Sequence, residues 1–415
     1  MDLTFVWFAL AVSLFMLLIM YFRHGLKDPL FAIAGFYFYF AFGPVINFLI
    51  GGQIYFGTLQ HRIPEASFIF LLGLSAFFII STVIRPKYKQ AVEILEHPSA
   101  RFFALNFVLL ILIAYQLYAF AFVLPTVLGL PKNTQINYIG ASLHYNVLLL
   151  QFYVLSFYFF RKNSSGTRVL YTINFALYLI YCVGFQERDF IFLLMSIILH
   201  RQLLVRSSQT PRILNTLRFG LVAVTLTALA TYIFVLRFDT AQVGFGLESM
   251  LNQGTLLFIN TQVFDLMRTF DSFYNGQTYL NSLFNLLPNQ IYSTDFYLIN
   301  WFKDFYAPGG VSGYGFALDA EAYMNFGYAG VFFFFSFVAM LQRFIFNRIS
   351  VNPFYLYFSV FFTGFLAYSL RNDSLALIKG SIYAVLFYVV IVIFSGPAAR
   401  AYKLQNYWRQ QGIAP

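Results

Sequence analysis

The chain has 415 residues, 60% of them hydrophobic and 10% charged. Soluble domains carry roughly 25% charged residues, so this composition excludes an ordinary soluble enzyme and points to an integral membrane protein. A formal net charge of +10 would suit a nucleic-acid binder, but the cations fall in short clusters between apolar runs, as membrane topology is written; nucleic acid is not an expected partner.

Runs of about 20 apolar residues cross a bilayer as helices, which satisfy their own backbone hydrogen bonds. The pattern predicts about eleven spans, near 3–22, 29–50, 66–84, 102–124, 145–160, 169–185, 190–205, 219–236, 326–344, 353–370 and 374–395. The runs are continuous, without the period-2 alternation of strands. The expected fold is all-α and polytopic, with one large helical loop outside the cytoplasm.

No basic residue precedes the first run, and Arg23, His24 and Lys27 follow it. That order predicts a retained span with its N-terminus outside. With alternating spans, eighteen of the 26 basic residues fall inside, in clusters such as Arg85, Lys87, Lys89 and Arg101, or Arg201, Arg206, Arg212 and Arg218. Seven fall outside: Arg62, Lys132, Arg188, Arg237, Arg268, Lys303 and Arg371. The expected organisation is a bundle over 1–236, a large outer loop over 237–325, terminal spans over 326–395 and a basic, aromatic inner tail over 396–415.

The segment Arg237–Asn325 holds eight of the sixteen carboxylates and three basic residues, Arg237, Arg268 and Lys303. Polar chemistry is expected there. A helix near 254–273 sets Leu256, Ile259, Val263, Leu266, Met267 and Phe270 on one face and Thr261, Asp265, Arg268 and Ser272 on the other. Either Arg268 pairs with Asp265 at i+3 on a helix lying on the bilayer, or it faces a cavity as an anion ligand. After the break at Leu287-Pro-Asn comes an aromatic run through Tyr292, Phe296, Trp301 and Tyr306, as an interfacial belt or as stacking platforms for sugars. A glycine-rich stretch, 307–315, leads to Asp319, Glu321 and Asn325-Phe-Gly-Tyr-Ala-Gly330 at the mouth of a span. Asp319 and Glu321 are two apart and diverge on a helix, so one of them is expected to face a cavity. They serve as a proton acceptor, a weak metal pair or simple caps.

Two basic residues stand on the wrong side of the topology rule. Arg188 sits in Gly184-Phe-Gln-Glu-Arg-Asp-Phe190, and Arg371 in Arg371-Asn-Asp-Ser374. Each pairs with its acidic neighbour or grips an anionic head group, since guanidinium binds phosphate through two parallel bonds. Lys379 lies within the last span and either snorkels or serves a site. The five histidines, His24, His61, His97, His144 and His200, all lie outside the long segment, and the single cysteine, Cys182, reads as a small buried hydrophobe.

In order and spacing, the Arg188 turn, the Leu287-Pro-Asn break, the Gly313-Tyr-Gly315 to Gly330 stretch and the Arg371 turn resemble those of the Wzy-type polysaccharide polymerases. The resemblance implies a bacterial inner-membrane glycosyltransferase, N-terminus periplasmic and C-terminus cytoplasmic. Such an enzyme joins undecaprenyl-pyrophosphate-linked oligosaccharide units by block transfer, beside a chain-length-regulating co-polymerase and without cofactor or metal. On this reading Arg188, Arg268 and Arg371, with Arg237 and Lys379 in reserve, bind pyrophosphate. Glu321 or Asp319 takes the acceptor proton, and Tyr314 and Asn325 contact sugar or order the loop. The alternatives are an O-antigen ligase-type transferase, which the lack of a histidine in the loop disfavours, and a flippase or exporter of lipid-linked glycan.

Overall fold

The computed structural model describes residues 3–54, 57–87, 103–130, 132–159, 165–187, 193–200, 247–251, 255–269, 272–287, 291–292, 297–306 and 315–410, with scattered residues between 217 and 233. Among them the protein is all-helical and contains no strand. The helices are α1 (Thr4–His24), α2 (Pro29–Leu49), α3 (Ile63–Val83), α4 (Phe103–Tyr118), α5 (Lys132–Ile139), α6 (Ala141–Phe159) and α7 (Ser165–Gly184). After them come α8 (Leu247–Leu251), α9 (Leu256–Thr269), α10 (Gln277–Phe284), α11 (Leu298–Tyr306), α12 (Leu318–Phe346), α13 (Pro353–Ser369) and α14 (Ser374–Gln410). A π-helical turn, Ala119–Val123, continues α4. It precedes Pro125, which lacks the N–H that a regular ladder would use.

Among the described residues, six stretches are long and apolar enough to cross a membrane: Thr4–His24, Pro29–Leu49, Gln60–Val83, Leu105–Val127, Leu318–Phe346 and Ser374–Ile391. Shorter apolar helices at Leu143–Phe157, Arg168–Gly184 and Phe354–Ser369 coincide with three more of the expected spans. The expected spans 190–205 and 219–236 are described in part, and the described residues, 193–200 and those between 220 and 233, are helical.

Position in the bundle follows from how much of each helix is covered. Within their most apolar windows α2 is 61% buried and α3 56%, against 28% for α1 and for α14. The first pair therefore forms the centre and the second pair the rim. On α1, Phe15 and Phe22 stay exposed, as suits a lipid-facing surface. Tyr37 of α2 lies at the centre, with its ring 5.1 Å from that of Phe335 and edge-on to Phe70 and Phe77.

One end of this bundle is tied by a buried ion pair. Arg343 donates to both oxygens of Asp28, at 2.9 and 2.7 Å. Asp28 also caps α2 through the Leu30 N–H and accepts from Ser81 of α3. Three helix ends are thereby joined by one carboxylate. At the other end dock the elements of 247–325: Glu248 accepts from the Gln53 N–H, Thr261 from the Leu59 N–H, and Asp265 from Arg62.

The largest departure from the sequence expectation is α12. Phe326 (φ −144°, ψ 19°) and Gly327 (φ 64°, ψ −153°) break it, and only glycine adopts the second conformation readily. The chain then folds back so sharply that a Cβ on Gly330 would lie 2.4 Å from the Ala322 carbonyl oxygen. Residues 318–325 are thus a separate half-helix, about 12 Å long, packed against the span that follows. Gly330→Ala is expected to cost about 1–3 kcal/mol by prying the halves apart. Gly35→Ala, where a Cβ meets nothing within 4 Å, is expected to be neutral or stabilising. Thermal unfolding of the two purified variants in detergent checks the contrast.

Candidate functional site

The half-helix 318–325 gathers several of the residues singled out above. Its approach is already enclosed, with Phe316 and Ala317 fully buried. Just before them, Gly315 (φ 73°) would place a Cβ 2.9 Å from the Arg371 carbonyl oxygen. Its far end exposes helix-terminal carbonyls that need donors. Residues 274–276 supply them: the Tyr274 N–H bonds to the Met324 carbonyl and the Asn275 N–H to that of Asn325. Asn325 completes the turn, accepting from the Gly276 N–H at 2.9 Å and donating to Thr278 at 2.6 Å.

Asp319 and Glu321 do diverge, as their spacing requires, but both are fully buried. The expectation that one would face an open cavity is not met, because each finds its own wall of donors. Asp319 accepts from the Tyr37 hydroxyl at 2.8 Å, from Asn260 of α9 at 3.0 Å and from the Ala320 N–H at 2.9 Å. A Cβ on Gly73, midway along α3, would come within 2.7 Å of that same hydroxyl. The Asp319 carboxylate therefore lies near mid-height of the bundle. Glu321 accepts from Thr278 at 2.8 Å, from the Ser374 hydroxyl at 2.8 Å and from the Ser374 N–H at 2.6 Å. It sits at the N-terminus of α14, where the exposed N–H groups and the helix dipole favour an anion. Beside it burial pushes the Asp373 carboxyl above its usual range.

The arginines divide. Arg371 reaches over the ring of Phe40 on α2, 5.1 Å from its centroid, next to the deep end of the half-helix. Arg268 lies exposed at the other end. One turn before it on α9, the Phe264 ring packs 4.4 Å from that of Tyr323 and 5.9 Å from that of Tyr328. The i+3 pair of Arg268 with Asp265 does not form. Arg62 takes Asp265 instead, at 3.1 Å, while also holding Glu65 at 3.2 Å. Nor is α9 a helix lying on a surface: Asn260 and Thr261 are buried with its apolar residues, because Asp319 and the Leu59 N–H meet them there. Lys379 is exposed, 5.7 Å from the Tyr383 ring, and no described contact joins it to this group. Arg188, Arg237 and Tyr314 lie outside the described residues.

A second polar cluster escaped the sequence reading. Glu187, in the turn nominated for Arg188, accepts from Lys132 at 2.9 Å and bonds to His144 at 3.0 Å. The other ring nitrogen of His144 meets the Tyr181 hydroxyl at 2.9 Å. His144, Glu187 and Tyr181 are buried. The available signal was a histidine one turn into a span, opposite an acidic turn on the same side. Among the described residues no three His, Cys, Asp or Glu side chains gather as metal ligands would.

Comparison with protein-family models, with curated proteins and with solved structures gives no match to this chain.

Proposed function

We propose that this protein is a membrane-embedded glycosyltransferase that polymerises oligosaccharide units carried on polyprenyl pyrophosphate. The observation that carries the reading is the arrangement of cations around one half-helix. Arg268, one turn beyond the Phe264 ring that packs on Tyr323 and Tyr328, borders one end, and Arg371 borders the other. A diphosphate bearing its first sugars is long enough to meet both ends.

In the reaction the acceptor hydroxyl attacks the anomeric carbon of the donor glycan. A new glycosidic C–O bond forms as the bond from that carbon to pyrophosphate breaks. The leaving group gains negative charge, which positioned guanidinium groups stabilise. The acceptor proton passes to Asp319 or Glu321, which requires substrate to open a hydrogen-bonded wall around that carboxylate. Exposed aromatics near the same end, among them Phe273 and Phe326, offer apolar surface for the polyprenyl chain and faces for sugars.

One observation favours a second reading, an exporter of the same lipid-linked glycan. Transporters place ionisable groups near the midplane and build their sites from broken helices, and Asp319 on a half-helix has both features. Purified protein in liposomes, given lipid-linked repeat units, separates the readings. Polymerase activity yields a ladder of lengthened lipid-linked glycans, and a ligase yields one transferred product. An exporter moves the lipid across with no covalent change.

A further inference from the structure

At the end of the bundle that carries the Asp28–Arg343 pair, an open groove of about 780 Å³ runs along the distal half of α12. Its walls divide by chemistry. Phe337, Met340 and Phe344 form an apolar, exposed strip one helical turn apart, while Lys87, Asn347 and Arg348 form a polar head.

The head is built. Asn347 accepts from the Lys87 N–H at 2.8 Å and donates to the Arg85 carbonyl, pinning residues 85–87 along the groove. The Arg348 guanidinium lies 3.4 Å from the Phe344 ring centroid, at the junction of head and strip. Arg343 also borders the groove, but its charge is matched by both oxygens of Asp28. No carboxylate lines the walls among the described residues. Among the described residues the groove therefore presents two cations that no carboxylate meets, above a strip that only an apolar chain covers favourably.

We propose that this groove binds an anionic phospholipid, its phosphate on Lys87 and Arg348 and one acyl chain along Phe337, Met340 and Phe344. Basic pockets beside membrane helices select such head groups. A zwitterionic lipid brings its own cation to the same place and gains less. The inference stands apart from the proposed catalysis, because it uses none of the same residues.

Native mass spectrometry of the full chain in detergent, titrated with phosphatidylglycerol or with phosphatidylcholine of identical chains, tests it. Phosphatidylglycerol is expected to bind in clear excess. The double variant Lys87→Gln/Arg348→Gln is expected to weaken it roughly 30-fold, taking each cation near a membrane surface at its usual worth. Met340→Trp, which fills the strip and changes no charge, is expected to weaken it as well, and it keeps the test open if the double variant does not fold. Equal binding of the two lipids, or wild-type binding by a folded double variant, overturns the proposal. Competition by glycerol phosphate as effective as that by phosphatidylglycerol overturns it too, since the head alone would then suffice.

Discussion

Replacing Arg343 with alanine is expected to lower stability by about 3–5 kcal/mol, the range for stranding one partner of a buried ion pair. Both groups are enclosed, Arg343 at 1% exposure and Asp28 at 0%. Without the guanidinium, Asp28 keeps its bonds from Leu30 and Ser81 but loses the only described cation that touches it. Removing both charges has a different outcome. Asp28→Asn still caps α2, and Arg343→Met fills much of the same space. The double variant is therefore expected to regain most of the loss. Thermal unfolding in detergent of the wild type, Asp28→Asn, Arg343→Met and the double variant reads the coupling directly, with Arg343→Ala as the measure of the stranded carboxylate. Additive losses would mean that the pair ties nothing together.

The second large effect is on activity. Arg268→Ala and Arg371→Ala are each expected to reduce polymerisation by about 10²–10³, the scale for removing one donor aimed at developing negative charge. Lysine is expected to rescue poorly at either place, because an ammonium lacks the planar fork that meets a phosphate bidentately. Lys379→Ala serves as the contrast and should retain activity near wild type, since its ammonium stays exposed beside Tyr383. Initial rates from equal amounts of purified protein decide this. A full rate from either arginine variant would remove that residue from the site.

Why some of this was legible follows from the range of the interactions. Each span is a local property: a run of apolar residues long enough for the bilayer must satisfy its backbone internally. The start of the span near 326 was legible, because the apolar run that follows Asn325-Phe-Gly is a local feature. That residues 318–325 turn back into the bundle was not. Asp319 and Glu321 read equally well as solvated caps, and what encloses them comes from afar. Tyr37 is 282 residues from Asp319, and Ser374 is 53 from Glu321.

The same limit hides the partner of Asp265. An i+3 arginine on its own helix is the nearest candidate, whereas Arg62, 203 residues away, already holds Glu65 and gains a second carboxylate at little further ordering cost. His144 shows the reverse case. Attention to the long segment alone passes over it, although alternating spans put the start of α6 and the Glu187 turn at the same end. Arg62 reads in the sequence only as a cation on the acidic side, and it proves to be the anchor between α3 and α9.

On the proposed function a diphosphate is held at the half-helix 318–325, between Arg268 and Arg371. Photo-crosslinking with a polyprenyl pyrophosphate that bears a diazirine near its head group, followed by peptide mapping, tests this most directly. Adducts are expected on peptides containing 264–268, 323–328 and 368–374, and they should fade on adding unlabelled lipid. Adducts confined to the opposite end, around Asp28 and Arg343, would contradict it.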